Sequence, residues 1–208
     1  RTALAAAHSC PNRPPLSCED VYVTVGCSEA IEHCIAVLAA PGSNIILPRP
    51  GFPLYETLCQ RHGVICRFYD LLPEDAWQID IESIRRVADS RTAAVLINNP
   101  SNPCGAVYSR EHLKTLIAVA GELQVPLLAD EVYAGMTYGT PFVPIAEVAG
   151  TVPVFSVGAL SKRWLVPGWR VGWLCLHDIS GVLKGSGVRN ALTKLCQLSL
   201  GPSTPLQA

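Results

Sequence analysis

The stretch "SKRWLVPGWRVGW", residues 161–173, holds three cationic side chains and no carboxylate. Because a buried cation is costly unless it is paired, its largely apolar neighbours suggest an anionic or electrophilic ligand. Lys162 follows an apolar, strand-like segment, and in a dry, cation-rich place its amine would be a nucleophile able to form a Schiff base with an aldehyde. Arg170 has a planar guanidinium that can hold a phosphate, whereas Arg163 is more typical of a solvated or interface cation.

Polar side chains also follow two other apolar segments. Asp130 closes "VPLLAD", and a carboxylate there needs a partner, which could be a protonated ring nitrogen or a cation in a structural ion pair. Tyr133 lies three residues on, so its phenol could reach the same ligand. In "NPSNPCG" Asn99 and Asn102 each precede a proline, which is typical of an ordinary loop with Asx turns, but Asn102 could also donate to a ligand.

A third group of candidates surrounds two turns early in the chain. Gly26, Cys27 and Ser28 join a strand to a helix, and a helix N-terminus that begins with glycine can bind an anion, although an ordinary capped turn is the simpler interpretation. Phe52, in the loop "RPGFPLY", could cover a planar ligand or belong to the core. Tyr55 is a similar case with weaker support.

Alternating strands and helices must position these residues. The predicted strands are 20–26, 44–48, 64–71, 92–99, 125–131, 152–158 and 170–178, and the predicted helices are 28–40, 54–63, 81–90 and 110–123. Ser28 is the expected N-cap of the first of these helices, and Pro41-Gly42 ends it. The pattern predicts an α/β fold, a mostly parallel mixed sheet flanked by helices, with its ligand crevice beyond the carboxyl ends of the strands.

Composition limits the function classes. Of the 208 residues 49% are hydrophobic and 16% charged, so a large core is expected, and a net charge of −1 gives no support for binding nucleic acid or a membrane surface. No apolar run reaches the roughly 18–20 residues that span a bilayer. The nine cysteines lack metal-ligand spacing and are expected to be buried free thiols in a reducing compartment. Both ends are abrupt, which suggests a fragment.

One ligand would satisfy all of these candidates, and it is pyridoxal 5'-phosphate. It has a phosphate, a flat ring with a nitrogen that can be protonated, a phenolic oxygen and an aldehyde. The predicted partners are Gly26, Cys27, Ser28, Ser161 and Arg170 for the phosphate, Phe52 for the ring face, Asp130 for the nitrogen, Asn102 and Tyr133 for the oxygen, and Lys162 for the aldehyde. Trp164, Trp169 and Trp173 are expected to exclude water around this site.

The strings "NNPSNPCG", "ADEVY" and "SKRWLVPGWRVGW" resemble the fold-type I aminotransferases of class I/II. This resemblance covers essentially the whole chain and implies the same cofactor roles for Lys162, Asp130, Tyr133, Asn102 and Arg170. Ala159 stands where some members have a phosphate-binding serine, which makes Ser161 a substitute. A cis Asn102-Pro103 bond is also implied.

The resemblance further implies that residues 1–208 are the large, cofactor-binding domain. The small domain, with the arginine that grips the substrate carboxylate, would lie outside this chain, and the full-length protein would be a homodimer. The implied reaction is a ping-pong transfer of the amino group of tyrosine or another aromatic amino acid to an α-keto acid, as in tyrosine catabolism. A cytoplasmic location is expected, with a mitochondrial one left open.

Three alternatives remain. Another fold-type I pyridoxal-phosphate enzyme, such as an alanine-type aminotransferase or a C–S lyase, would use the same residues. A non-catalytic binding or dimerisation module would share the fold without the chemistry. A dinucleotide-binding dehydrogenase domain is a distant third, because no Gly-rich fingerprint follows a strand.

Overall fold

The fold is built on eight β-strands and seven α-helices in the residues that the computed structural model describes, which are 1–11, 13–199 and 201. The strands are β1 (Val21–Val25), β2 (Asn44–Arg49), β3 (Ile65–Leu72), β4 (Gln78–Ile79), β5 (Thr92–Asn98), β6 (Leu127–Asp130), β7 (Val154–Ala159) and β8 (Val171–His177). The helices are α1 (Thr2–His8), α2 (Cys27–Leu38), α3 (Leu54–Arg61), α4 (Ile81–Val87), α5 (Arg110–Leu123), α6 (Ile145–Val148) and α7 (Val188–Leu198).

All eight strands belong to one sheet, in the order β1-β8-β7-β6-β5-β2-β3-β4. The neighbours within the central run β7-β6-β5-β2-β3 are parallel, whereas β8 is antiparallel to both β1 and β7, and β4 is antiparallel to β3. The predicted α/β class with a mostly parallel mixed sheet is therefore confirmed.

This topology brings distant parts of the chain to one edge. The carboxyl ends of β2, β5, β6 and β7 point the same way, and β1 shares their direction because it is antiparallel to β8, which is itself antiparallel to β7. β8 runs in the opposite direction, so its first residue lies at that same edge. The predicted site residues follow β1, β2, β5, β6 and β7 or precede β8, so one edge collects them all.

Helices cover both faces of the sheet. On one face, side chains of α2, α3 and α7 pack in a cluster with Leu96, Leu128 and Phe155 of the central strands. On the other face, α4, α5 and α6 pack against neighbouring strand residues such as Ile97 and Leu127. Residues from Ala94 to Asn98 are all buried, as expected for a central parallel strand covered on both sides.

The start of α2 differs from the prediction. Ser28 was the expected N-cap, but the helix begins at Cys27 with Gly26 as N-cap, and no side chain caps it. Gly26 has φ of 79°, a backbone conformation that side-chain-bearing residues rarely adopt. This conformation turns the chain into the helix two residues earlier than a serine cap would, and it places Ser28 in the first turn. The helix stops before Pro41-Gly42, as predicted.

The other predicted strands and helices are present, with ends that differ by up to three residues. The described residues also include α1 at the start of the chain, and β4, α6 and α7 are elements that the sequence pattern does not predict. The nine cysteines are free thiols, and Cys10, Cys34, Cys59 and Cys175 are buried. Cys18 is exposed, and the remaining four are half-buried, so the expectation of buried thiols is correct only in part. Most of the segment after residue 198 lies outside the described residues.

Candidate active site

A cavity of about 210 Å³ lies at the edge where the strand ends meet. Its lining includes every predicted site residue except Gly26, together with four residues that were not predicted to bind a ligand and with Tyr55. The predicted members are Cys27, Ser28, Phe52, Asn102, Asp130, Tyr133, Ser161, Lys162 and Arg170, and the others are Ile31, Asn98, Val132 and Pro167. Residues up to about 140 positions apart in sequence therefore share one small volume.

Asp130 is the acid among the described residues that line this cavity, and 4% of its surface is exposed. Its Oδ2 accepts a hydrogen bond from the Tyr55 hydroxyl at 2.7 Å, and its Oδ1 accepts from the Val132 amide at 3.1 Å and the Cys27 thiol at 3.6 Å. Burial raises the pKa of the Asp130 carboxyl, and these donors and the charge of Lys162 oppose that rise. In the described part of the chain Asp130 forms no salt bridge, which speaks against the structural ion-pair interpretation.

Asn98 holds the ends of β5 and β6 together. Its amide nitrogen donates to the carbonyl of Asp130 at 3.1 Å, and its Oδ1 accepts from the backbone amide of Asn102 at 2.6 Å. The Asn102-Pro103 bond is cis, as predicted. Asn99 has the loop role that its turn chemistry suggested, because its Oδ1 accepts from the amide of Tyr108 at 3.1 Å. Asn98 was not singled out from the sequence, although it ends an apolar strand just as Asp130 does.

Arg170 lies directly against the turn that begins α2. Its Nη2 donates to the carbonyl of Val25 at 3.3 Å and its Nη1 to that of Pro167 at 3.0 Å. A Cβ atom at Gly26 would come within 2.3 Å of that guanidinium. Gly26 is therefore placed behind the cavity wall, where its lack of a side chain leaves room for Arg170 beside the N-terminus of α2. A cation and a helix N-terminus side by side favour an anionic ligand.

The loop that carries Lys162 is exposed, which contradicts the expectation of buried cations. Residues 162–165 and 167–170, between β7 and β8, are all solvent-exposed. Lys162 lines the cavity, and its Nζ lies 5.5 Å from the centroid of the Tyr133 ring, within cation–π range. Ser161 also lines the cavity and is half-buried, whereas Ala159 is fully buried.

Two aromatic residues form the opposite wall. Phe52 is 39% exposed, so the alternative that it belongs to the core is wrong, and its ring is free to cover a ligand in the cavity. Tyr55, one helical turn further on, is 2% exposed and packs edge-to-face on Phe52 with ring centroids 5.7 Å apart. Local sequence pattern supports Tyr55 only weakly as a site residue, because its hydrogen bond to Asp130 joins residues that are far apart in the chain.

The three tryptophans do not line this cavity, contrary to the prediction. Trp164 and Trp173 instead line a second cavity of about 480 Å³, where their rings meet edge-to-face, and Arg163 lies over the Trp164 ring. Trp164 and Trp169 are each about half exposed. In the described residues Arg163 has no acidic partner, which agrees with the interpretation of a solvated or interface cation.

The described residues offer neither a cluster of metal ligands nor a membrane-spanning helix. Among the described residues, no group of three or more histidine, cysteine, aspartate or glutamate side chains could hold a metal ion. In the same part of the chain, no helix is long and apolar enough to cross a membrane.

The fold and the cavity define an α/β domain with an acid, an amine and an arginine at the carboxyl edge of its mostly parallel sheet. Residues 1–208 match the family "Aminotransferase class I and II", and the chain belongs to this family. The resemblance in the sequence motifs is thereby confirmed over the whole chain.

Individual relatives agree with this assignment. Tyrosine aminotransferase of Bos taurus is 49% identical over 208 residues, which is all of this chain and 46% of that protein. Among solved structures, an alanine aminotransferase from Pyrococcus furiosus matches with a TM-score of 0.88 at 35% identity, over 93% of this chain and 49% of that one. Tyrosine aminotransferase from Leishmania infantum matches with a TM-score of 0.87 at 36% identity, over 91% and 51%. The chain thus spans about half the length of the relatives it matches.

Proposed function

We propose that this chain is the cofactor-binding large domain of an aminotransferase that moves the amino group of tyrosine, or another aromatic amino acid, to an α-keto acid such as 2-oxoglutarate. The observation that carries the proposal is the single cavity lined by Asp130, Lys162 and Arg170. A buried carboxylate, a primary amine and a guanidinium at one sheet edge suit a ligand with a protonated ring, a carbonyl and a phosphate. Family membership and the likeness to bovine tyrosine aminotransferase support it.

The residues present fit pyridoxal phosphate. The guanidinium of Arg170 occupies the space that a Cβ at residue 26 would enter, beside the N-terminus of α2, and this pairing of cation and helix end suits a phosphate. The Asp130 carboxylate accepts hydrogen bonds from Tyr55 and Val132. Asp130 also lines the cavity, where it could pair with a ring nitrogen. The exposed face of Phe52 suits a flat ring.

Each part of the cofactor then has a partner in this chain. Arg170, the turn Gly26-Cys27-Ser28 and Ser161 would hold the phosphate. Asp130 would pair with the ring nitrogen, and Asn102 and Tyr133 would donate to the ring oxygen. Lys162 is the amine that would bind the carbonyl carbon, and Phe52 would stack on the ring.

Pyridoxal phosphate, when bound, supplies an electron sink that acidifies the Cα proton of an amino acid. Lys162 would act as the base that takes this proton and as the acid that returns it, because its flexible side chain ends in the only amine among the described residues of the cavity lining. Asp130 would keep the ring nitrogen protonated by staying ionised. Tyr133 lies beside Lys162 and would hold the ring oxygen while the amine moves.

The proposal includes the organisation of the whole protein. The relatives named above are about twice as long as this chain, which leaves room for a small domain that grips the substrate carboxylate. We propose a cytoplasmic homodimer, on the strength of family resemblance. Size-exclusion chromatography with light scattering of the protein that contains this chain would return one protomer mass if the dimer proposal is wrong.

An amino-transfer assay tests the central activity. The protein that contains this chain, loaded with pyridoxal phosphate, should convert tyrosine and 2-oxoglutarate to 4-hydroxyphenylpyruvate and glutamate. Lys162→Ala should lower kcat by about 10²–10⁴-fold, the usual contribution of general acid–base catalysis, or more. Lys184→Ala, a substitution on the exposed surface away from the cavity lining, is the matched control. Wild-type turnover by Lys162→Ala would contradict the mechanism.

An alanine-type aminotransferase is the second candidate, and the match to the Pyrococcus furiosus enzyme favours it. The two differ in the donor that they prefer. Comparing kcat/KM for tyrosine and alanine with one keto acid separates them, and lyase activity would appear instead as release of a thiol from a cysteine conjugate.

A further inference from the structure

Tyr55 connects the aromatic wall of the cavity to its acid. It lies in the first turn of α3 and is 2% exposed, and its hydroxyl donates to Asp130 Oδ2 at 2.7 Å. Its ring packs edge-to-face on Phe52, with centroids 5.7 Å apart. Phe52 and Asp130, on two walls of the same cavity, are therefore joined through one side chain.

The two oxygens of Asp130 have different donors. Oδ1 accepts from the backbone amide of Val132 at 3.1 Å and from the thiol of Cys27 at 3.6 Å, and thiols are weak donors. In the described residues, Oδ2 has only the Tyr55 hydroxyl. Donors on both oxygens fix the plane of the carboxylate, and hydrogen bonds to an ionised acceptor are among the strong ones.

We infer that Tyr55 is a positioning residue, whose hydroxyl fixes the orientation of the Asp130 carboxylate and keeps it ionised for a ring nitrogen in the cavity. The inference rests on the proposed function, because the ring nitrogen belongs to the proposed cofactor. Tyr55 acts through Asp130 in this arrangement, since its hydroxyl is engaged by that carboxylate.

The electrostatic surroundings of Asp130 explain why one hydroxyl matters. Burial raises the pKa of Asp130, and the hydrogen bond from Tyr55 is the foremost of the effects that lower it again. The titratable groups that interact with this carboxylate, from every element packed against it, are Cys27 and Cys34 on α2, Tyr55 on α3, the adjacent Glu131, and Lys162 after β7. Without the hydroxyl the pKa of Asp130 should rise, so the carboxylate should become neutral at a higher pH.

A purely structural role for Tyr55 makes a different prediction. The ring fills space in the core beside Leu58 and Ile31, and Tyr55→Phe keeps that ring. Tyr69 provides a matched control, because it is fully buried and its hydroxyl donates to the backbone carbonyl of Leu96 at 3.1 Å, not to an acid. If burial alone mattered, Tyr55→Phe and Tyr69→Phe would behave alike.

The test is the pH dependence of pyridoxal phosphate binding to the protein that contains this chain, measured as a Kd between pH 5 and 8.5. Tyr55→Phe should bind about tenfold more weakly at neutral pH, the size of one lost hydrogen bond to a charged acceptor. The acid limb of its binding curve should also move up by about one pH unit. Tyr69→Phe should keep the wild-type curve, and thermal melts establish that each variant is folded.

A double-mutant cycle separates action through Asp130 from other effects. In an Asp130→Asn background Tyr55→Phe should change the Kd by less than about twofold, because the amide does not ionise. If Tyr55→Phe folds poorly, Cys27→Ala gives the same readout through Oδ1, with a smaller shift of the acid limb in the same direction.

The possible outcomes distinguish a failure of this inference from a failure of the proposed function. An acid limb of Tyr55→Phe that coincides with the wild-type curve, in a wild-type protein that binds the cofactor, overturns this inference and leaves the proposed function standing. A full Tyr55→Phe effect in the Asp130→Asn background overturns it as well. Wild-type protein that does not bind pyridoxal phosphate would overturn the proposed function and this inference with it.

Discussion

Arg170 shows what one residue contributes to the proposed site. Its guanidinium donates to two backbone carbonyls, and in the described part of the chain it forms no salt bridge. A bidentate cation at a helix N-terminus is well suited to a phosphate, since both the charge and the free amides favour an anion. Arg163 differs, because it lies over Trp164 at the second cavity.

Replacing Arg170 should therefore weaken the binding of a phosphorylated ligand selectively. Arg170→Ala should raise the Kd for pyridoxal phosphate by about 10–100-fold, the equivalent of one or two charge-assisted hydrogen bonds, and should change the Kd for unphosphorylated pyridoxal by less than about threefold. Absorbance titration with the two ligands measures both values. Arg163→Ala is the control, and equal losses for the two ligands with Arg170→Ala would contradict the phosphate role.

At the scale of elements, the turn between β1 and α2 packs closely against the backbone of β8. Gly26 turns the chain at φ of 79°, and a Cβ on Gly172 of β8 would lie 2.3 Å from the carbonyl carbon of Gly26. The start of α2 and the start of β8 thus meet without side chains between them. This contact sets where Arg170 lies relative to the N-terminus of α2.

A side chain at residue 26 should disturb the turn between β1 and α2. Gly26→Ala adds backbone strain of about 1–3 kcal/mol, because φ of 79° with ψ of 174° is a conformation that essentially only glycine adopts, and it places a Cβ within 2.3 Å of the Arg170 guanidinium, so both the melting temperature and pyridoxal phosphate affinity should fall. Gly42→Ala has the same kind of strain at φ of 86° but meets nothing within 4 Å, so it should lower the melting temperature only. Calorimetry and cofactor titration compare the two. Wild-type affinity of Gly26→Ala for pyridoxal phosphate would show that the turn between β1 and α2 does not position Arg170.

The sequence could predict the elements and much of the cavity lining, because both depend on local pattern. Apolar runs ended by polar residues mark strand ends, and parallel strands put those ends at one edge. Tyr55 and Asn98 were missed or undervalued, because their roles depend on hydrogen bonds to Asp130, which lies 75 and 32 residues away. Local pattern contains no information about such pairs.

Solvent exposure and helix caps are also predicted less well from the sequence, because they depend on residues far apart in the chain. The apolar residues around Lys162 suggested burial, but whether a loop is covered depends on elements elsewhere in the chain. Ser28 is the N-cap that the sequence suggests because serine is a common cap, whereas Gly26 takes that position, with φ of 79° and with the guanidinium of Arg170 in the space that a Cβ would occupy. Arg170 lies far along the chain from Gly26, so this contact is not part of the local pattern.

At the scale of the whole molecule, one half-buried acid links folding to pH. Burial raises the pKa of Glu131 to about 7, although its carboxylate accepts a hydrogen bond from the amide of Ile145 at 2.8 Å. Its pKa in the unfolded chain is the ordinary 4.5. Since the folded value is the higher one, Glu131 contributes stability below pH 4.5 that is lost as the pH rises through 7.

Glu131→Gln should remove this loss of folding stability at high pH. At pH 8 the variant should melt about 2–4 °C above the wild type, the shift that roughly 1 kcal/mol produces in a domain of this size, and the gain should vanish near pH 5. Glu74→Gln, at an exposed position, should change neither value. Melting curves at several pH values decide the matter, and a Glu131→Gln gain that is constant with pH would refute the assignment.

The central claim is that Lys162 is the residue that binds the cofactor. The protein that contains this chain should be incubated with pyridoxal phosphate, reduced with borohydride, digested and mapped by mass spectrometry. The account predicts one modified lysine, Lys162, at near-stoichiometric yield, with Lys114, Lys184 and Lys194 unmodified. Attachment to another lysine, or no stable attachment to Lys162, would contradict it.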